Sequence, residues 1–170
     1  VKNQMQGLSL ISTFDSLVIN CEVIGNQYGI YLNNSANNKI VKNRFTANSG
    51  NSVYLRFSDN NIVSENQISN GHVGLGVENC TGNIFSRNAI TCNYTGVEFS
   101  GSSNNQLLEN RIEGNGRAGM DLCNAALKPF EYEEPYLRWT LPSLDQPPRI
   151  SAAKNSGRDP AVHREYFPGL

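Results

Sequence analysis

The sequence Asn38-Lys39-Ile40-Val41-Lys42-Asn43-Arg44-Phe45 holds two asparagines, each followed two positions later by an apolar residue. The same pattern returns at residues 61–68, 83–90 and 105–112. Its second asparagine recurs every 22 to 23 residues, at positions 43, 66, 88 and 110. A period of this length is typical of a solenoid, in which each repeat forms one coil and neighbouring coils bury each other's apolar faces.

Composition narrows the classes of function. The chain has 170 residues and a net charge of −1, with 14 Lys and Arg residues against 15 Asp and Glu. This balance provides no basic surface for nucleic acid, so we expect no nucleic-acid partner. There is no run of about 18 apolar residues, so we expect no membrane span. The four cysteines form no Cys-x-x-Cys pair, and we predict no metal site of this type.

Each coil is predicted to contain three short strands, as in residues 29–33, 40–42 and 44–46 of one repeat. The first strand alternates apolar and polar residues, which places one face in the core and the other in solvent. Stacking the coils about 4.8 Å apart aligns equivalent residues into four inward columns. These columns are Leu8/Ile30/Val53/Leu75/Val97/Met120, Leu10/Leu32/Leu55/Val77/Phe99/Leu122, Val18/Ile40/Val63/Phe85/Leu107 and Val23/Phe45/Ile68/Ile90/Ile112.

The corners of the coils have their own pattern. Asn43 is predicted to form a corner, since asparagine tolerates left-handed backbone and its amide can bond to the coil next to it. A stack of such residues predicts an asparagine ladder that satisfies buried polar groups. Beside it, Lys42, Glu65, Arg87 and Glu109 alternate in sign from coil to coil, which predicts a structural ladder of charges.

Two other solenoids compete with the parallel β-helix. Left-handed hexapeptide helices need a six-residue sub-period, and none is present. Leucine-rich repeats share the asparagine and overlap in length, but this chain uses Ile, Val and Phe over Leu and has no helix-forming segment. We therefore predict an all-β, right-handed parallel β-helix of about five coils with an asparagine ladder, over residues 1–124.

The repeat Asn-x-[Ile/Val]-x-x-Asn-x-[Ile/Phe], followed by Gly-[Ile/Val]-x-[Leu/Val/Phe], resembles the right-handed β-helix repeat of the pectin-lyase-like superfamily. Within it the chain is most similar to the NosD-like, carbohydrate-binding and sugar-hydrolase repeat proteins. The resemblance covers about residues 7–124. It implies a carbohydrate-related function outside the cytoplasm, in the periplasm or the extracellular space. Members also include polysaccharide lyases, hydrolases and epimerases, and non-catalytic accessory proteins.

The repeat stops at Ala125. Residues 125–148 combine aromatic residues with several prolines, which remove ladder donors and exclude a further coil. We expect this irregular segment to cover the open end of the solenoid, and residues 149–170 to form a mobile tail. Since the sequence opens at Val1 without an apolar leader segment, we expect either a processed mature chain or a fragment of a longer chain with further domains.

The outward face of the first strands is the candidate functional surface. Tyr31 and Tyr54 are predicted to be neighbours there, with Arg56 beside them. Aromatic rings suit the faces of sugar rings, and a guanidinium suits hydroxyl or uronate groups. These three residues are therefore predicted to bind a polysaccharide or oligosaccharide. If Tyr31 and Tyr54 point into the core instead, the register is wrong by one residue.

Carboxylates occupy the other half of this face. Glu78 and Glu98 are predicted about 8 Å apart at their Cα atoms, a spacing compatible with an inverting hydrolase. Glu98 and Asp121 are expected to repel, so that one pKa rises or a cation such as Ca²⁺ binds between them. Glu78, Glu98 and Asp121 are thus candidate catalytic residues of a polysaccharide lyase or glycoside hydrolase, and no other cofactor is expected.

The histidines are weaker candidates for functional residues. His72 lies in a Gly-His-Val-Gly sequence similar to the Gly-His-Gly of polygalacturonases, but the accompanying aspartates are missing. We therefore interpret His72 as a loop residue. The function that the sequence favours is a carbohydrate-interacting module, with a NosD-like non-catalytic accessory domain and a polysaccharide lyase or hydrolase as alternatives.

Overall fold

Short parallel strands account for the regular structure of residues 1–128, the part of the chain that the computed structural model describes. The first sheet contains β1 (Gln6–Ile11), β4 (Tyr28–Asn33), β7 (Asn51–Arg56), β10 (Val73–Glu78), β13 (Thr95–Ser100) and β16 (Ala118–Cys123). The second contains β2 (Leu17–Ile19), β5 (Lys39–Val41), β8 (Ile62–Ser64), β11 (Ile84–Ser86), β14 (Ser103–Leu108) and β17 (Ala126–Leu127). The third contains β3 (Glu22–Ile24), β6 (Arg44–Thr46), β9 (Gln67–Ser69), β12 (Ala89–Thr91) and β15 (Arg111–Glu113).

The sheet topology confirms the solenoid. Every strand pairs in parallel with its equivalent one coil away, as β4 does with β1 and β7. We call the three sheets sheet 1, sheet 2 and sheet 3 in the order that a coil visits them. Sheet 1 has six strands, so the described chain makes six turns. The strand β17 lies just beyond residue 124, where the predicted solenoid ends, and pairs with β14.

The core consists of the predicted inward columns. Ile40, Phe45, Val63 and Phe85 are fully buried, and the rings of Phe85 and Phe99 meet edge to face at 5.8 Å. Residues of the terminal coils are less covered, because within residues 1–128 a column has a stacked neighbour on only one side there. Full burial of a large apolar side chain contributes about 1.5–3 kcal/mol, so the stacked columns are the main source of stability.

Asparagine ladders connect the coils at the corners. The Oδ1 atom of Asn66 accepts hydrogen bonds from the backbone and side-chain amides of Asn43, at 2.8 and 3.1 Å. The Nδ2 of Asn66 donates to the Ile40 carbonyl and to Asn88. A second ladder runs through Asn38, Asn61, Asn83 and Asn105. The predicted ladder is therefore present, and it satisfies corner groups that the sheets leave unpaired.

The left-handed residues of the corners are not the ladder asparagines, and this part of the prediction is wrong. Positive φ angles occur one position earlier, at Lys42 (56°), Glu65 (57°), Arg87 (53°) and Glu109 (53°). The turn at Lys42 directs the following Asn43 into the interior, where its amide is bonded. The charged side chains remain outside, and Lys42–Glu65 and Arg87–Glu109 form the predicted ion pairs at 3.7 and 2.7 Å.

Close approach between coils explains the recurrent glycine that opens the first strand. A Cβ atom at Gly29 would lie 2.3 Å from the Ser52 carbonyl oxygen and 3.0 Å from the ring of Phe45. Glycine is therefore the residue that allows the chain to enter sheet 1 against the core. The predicted capping segment and tail, beyond Ala126–Leu127 and Lys128, lie outside the described residues.

Candidate functional site on the outer face of sheet 1

The register of sheet 1 places the candidate residues on one solvent-facing surface. Tyr31 is paired with Tyr54, and Gly76 follows Tyr54 in the same column. Arg56 is paired with Glu78 in the adjacent column. Leu32 and Leu55, which alternate with these residues, are fully buried. Since strand side chains alternate between faces, the tyrosines point outward, as predicted.

Three tyrosines form an aromatic cluster on this face. The rings of Tyr31 and Tyr54 stack with centroids 5.3 Å apart, and Tyr28 stacks on Tyr54 at 5.7 Å. Tyr28 also lies 6.0 Å from Tyr31. The sequence analysis missed Tyr28, because this residue precedes the Gly29 that marks the start of the strand. We call Tyr28, Tyr31 and Tyr54 the tyrosine cluster.

Glu78 joins the tyrosine cluster to Arg56. The hydroxyl of Tyr54 donates a hydrogen bond to Glu78 Oε2, and Arg56 Nε lies 3.4 Å from Glu78 Oε1. Burial, followed by the hydrogen bond to Glu78, raises the pKa of Tyr54 above its ordinary value. The charge of Glu78 raises the pKa of Arg56. The phenol of Tyr54 therefore stays protonated at neutral pH and donates to Glu78.

Arg56 is incompletely satisfied by protein groups. Its Nε is buried and makes no hydrogen bond, because the 3.4 Å approach to Glu78 has ion-pair distance without hydrogen-bond geometry. Its guanidinium lies 5.0 Å from the ring centroid of Phe57. The side chain is thus fixed by an ion pair and by a cation–π contact.

Arg117 separates the two carboxylates that were expected to repel. Glu98 and Asp121 are paired in register on β13 and β16. Arg117 approaches Asp121 Oδ2 at 2.8 Å and Glu98 Oε1 at 3.7 Å. This guanidinium supplies the positive charge for which the sequence suggested Ca²⁺. Sequence reasoning missed Arg117 because it lies before the strand, four residues from Asp121.

A shallow cleft opens where Gly76 interrupts the outward column. The cleft has a volume of about 160 Å³ and is lined by Asn51, Tyr54, Gly76, Val77, Glu78, Glu98 and Ser100. It brings together two of the three candidate catalytic carboxylates, whereas Asp121 does not line it. Tyr31 and Arg56 flank the cleft through their contacts with Tyr54 and Glu78.

His72 lies beside this face as an exposed loop residue, immediately before β10. Its ring stacks on that of Tyr94 one coil away, with centroids 5.0 Å apart. Within residues 1–128, no group of three or more His, Cys, Asp and Glu side chains is arranged to hold a metal ion. The same residues contain no helix that is long and apolar enough to cross a membrane.

The fold and the surface together define a parallel β-helix protein with an irregular aromatic and polar outer face. The chain belongs to the family described as right handed beta helix region, which it matches over residues 6–134. A search of curated proteins found no match.

Two crystal structures of the periplasmic alginate epimerase AlgG are similar to this chain. A double mutant of AlgG aligns with 20% identity and a TM-score of 0.53, over 75% of this chain and 37% of the AlgG chain. AlgG itself aligns with 19% identity and a TM-score of 0.51, over the same shares. The chain thus spans little more than a third of these proteins, and at this identity the likeness shows the fold.

Proposed function

We propose that this protein is a carbohydrate-binding β-helix module that uses the outer face of sheet 1. The observation that carries the proposal is the tyrosine cluster, which adjoins an open cleft and is tied to a charged hydrogen-bonding network. Tyrosine offers an apolar ring together with a polar hydroxyl, which matches the mixed surface of a sugar. Pockets that combine such rings with a few fixed polar groups are the usual form of a ligand site.

Arg56 and Glu78 provide the polar half of the site. Both are held by the Tyr54–Glu78–Arg56 contacts, so little side-chain entropy is lost when a ligand binds. The exposed parts of both side chains are available for sugar hydroxyls. We propose a polysaccharide or oligosaccharide as the ligand and a site of action in the periplasm or outside the cell. AlgG, described as a periplasmic alginate epimerase, is a precedent for such a location on this fold.

Binding to a panel of neutral and acidic polysaccharides tests this proposal. We expect retention by at least one polysaccharide and a loss of affinity in Tyr54→Ala of about 1–3 kcal/mol, by analogy with nucleobases that stack on aromatic side chains. A matched control is Tyr94→Ala, because Tyr94 is an exposed tyrosine outside the cleft. If no polysaccharide binds, the carbohydrate proposal fails and the accessory, NosD-like alternative is favoured.

A second candidate function is polysaccharide cleavage, and the shared cleft of Glu78 and Glu98 favours it. In this proposal Glu78 and Glu98 act at the scissile bond, and Asp121 holds Arg117 in place. Single substitutions Glu78→Ala, Glu98→Ala and Asp121→Ala test it in an assay for new reducing or unsaturated ends. An activity that survives all three changes would place the reaction elsewhere.

A further inference from the structure

Gly76 interrupts an otherwise continuous outward column of side chains. On one side it is paired with Tyr54 and on the other with Glu98. A Cβ atom at position 76 would lie 3.3 Å from Tyr54 Cδ2 and 2.6 Å from Asn51 Nδ2. A side chain here would therefore cover the ring of Tyr54 on the side away from Tyr31. Without one, the Tyr54 ring, which also stacks on Tyr31 and Tyr28, lines the cleft.

The open space has the dimensions of a subsite for one ring. Its volume of about 160 Å³ is close to the roughly 150 Å³ of a cavity that accepts benzene. Tyr54 forms one wall, and the Asn51 amide, the Ser100 hydroxyl and two carboxylates provide hydrogen-bonding groups around it. A flat-faced ligand rich in hydroxyl groups fits this combination of ring and polar atoms.

The charges around the cleft discriminate between kinds of sugar. Glu78 and Glu98 line it, whereas Arg56 and Arg117 contact these carboxylates from outside the lining. A carboxylate on the ligand would approach two like charges without meeting a cation inside the cleft. Like charges brought together in this way cost binding free energy, which disfavours an anionic ligand relative to a neutral one.

We propose that the Gly76 cleft is a subsite for a single pyranose that carries no carboxylate, and that Gly76 is its specificity-determining residue. The inference rests on the proposed carbohydrate-binding function and adds the class of sugar. The pyranose packs against the part of the Tyr54 ring that lines the cleft, and its hydroxyl groups donate to Glu78 and Glu98 or accept from the Asn51 amide. The absence of a side chain at position 76 is what makes the site possible.

The substitution Gly76→Val tests the subsite without opposing the fold. Gly76 does not have a left-handed φ, and the group that a Cβ meets first is the mobile end of the Asn51 side chain. Valine also favours strands over glycine, so the midpoint of thermal unfolding should be unchanged or higher. Ser64→Val is the matched control, since it adds the same side chain to an outward position of β8 in sheet 2.

Three pairs of linear hexasaccharides, each differing in the oxidation of C6, serve as probes: glucan with glucuronan, mannan with mannuronan, and galactan with galacturonan. We expect the neutral member of at least one pair to bind at least tenfold more tightly than its uronate, and Gly76→Val to lose at least tenfold while Ser64→Val does not. Equal or tighter binding of the uronates would overturn the inference, as would full binding by Gly76→Val. Both results leave the proposed function standing, whereas the absence of binding in all pairs removes both.

Discussion

The inward column of sheet 3 and the outer face of sheet 1 are built by the same coils. They differ in whether equivalent positions hold the same type of residue from coil to coil. In sheet 3 the inward column holds Val23, Phe45, Ile68, Ile90 and Ile112, all branched or aromatic apolar residues. In sheet 1 the outward column changes from Tyr31 and Tyr54 to Gly76 and then to Glu98 and Asp121. Core positions must hold similar apolar residues in every coil so that the stacked side chains fill the interior. Positions on the outer face do not have this requirement. The difference separates residues that hold the solenoid together from residues available for binding.

The first test of this contrast removes a repeated core residue. Phe85→Ala should lower the free energy of unfolding by about 3–5 kcal/mol, because a fully buried ring leaves a cavity in the column. Phe57→Ala is the matched control, since Phe57 is 46% exposed on the outside of the solenoid. Chemical denaturation measures both. Similar losses in the two variants would contradict the division between core and outer face.

Replacing a ladder asparagine should have the next largest effect on the free energy of unfolding. Asn66→Ala should lower the free energy of unfolding by about 2–6 kcal/mol. The buried amide of Asn43 loses its acceptor and the Ile40 carbonyl loses a donor, each at about 1–3 kcal/mol. The neighbouring Gln67→Ala removes an exposed amide from the same coil and should change stability by less than about 0.5 kcal/mol. If denaturation midpoints fall equally in both, the ladder has no special role.

A third corner ladder contains Ser58, Cys80 and Ser102. Cys80 takes the place of a serine in it, so the ladder can be tested by changing one atom. Ser58 N–H donates to its Sγ at 3.3 Å, and its own N–H donates to Ser102 Oγ at 3.0 Å. Cys80→Ser should therefore change stability by less than about 1 kcal/mol, whereas Cys80→Ala should cost about 1–3 kcal/mol through the unpaired Ser58 amide. Thermal unfolding of the two variants distinguishes them. A larger loss in the serine variant would refute the ladder assignment.

The acidity of Cys80 adds a dependence on pH. Burial raises the pKa of the Cys80 thiol to about 11, so the folded protein binds this proton more tightly than the unfolded chain. The associated stability is present below the ordinary cysteine pKa and is lost as the pH rises through 11. Thiol titration at pH 9 should label the exposed Cys92 and Cys123 well before Cys80. Labelling of Cys80 at the same rate would show that the ladder opens freely.

The smallest effect is expected from the surface charges. Lys42 and Glu65 lie 3.7 Å apart and are both largely exposed, and such pairs contribute about 0.2–1 kcal/mol. Lys42→Ala and Glu65→Ala should each lower the free energy of unfolding by no more than this, and the loss should shrink in 1 M salt. A coupling energy above 2 kcal/mol in a double-mutant cycle would mean that exposed charges at the corners contribute more to the stability of the fold than we propose.

The repeat made the fold and its register predictable. Two periods act together, two residues within a strand and 22 or 23 residues between coils, and they assign Ile40, Val63 and Phe85 to one buried column. The same reasoning placed Tyr31 beside Tyr54. The left-handed residue was predicted to be Asn43, because asparagine adopts this conformation more readily than lysine. In the structure Lys42 adopts it, because the turn must direct the Asn43 side chain into the interior.

The details of the candidate site were less predictable, since they depend on side chains outside the repeat. Tyr28 and Arg117 lie before Gly29 and Gly119, the glycines that open the repeat, and reach the face through long side chains. The column pattern carries no signal for either of them. A search for aromatic and basic residues within three positions before each strand-opening glycine would have found Tyr28 and Arg117. The bond from Tyr54 to Glu78 likewise spans two columns and cannot be read from one column alone.

The most direct test of the proposed binding face is a map of the surface that contacts a bound sugar. Backbone amide shifts can be followed by NMR while the protein is titrated with the oligosaccharide that the polysaccharide panel selects. We predict that the largest changes occur around Tyr54, Gly76 and Glu78 on sheet 1, with none at Gln67 and Ala89 on the outward face of sheet 3. Changes centred on sheet 3 or on the charged corners would contradict the claim that the irregular face is the functional one.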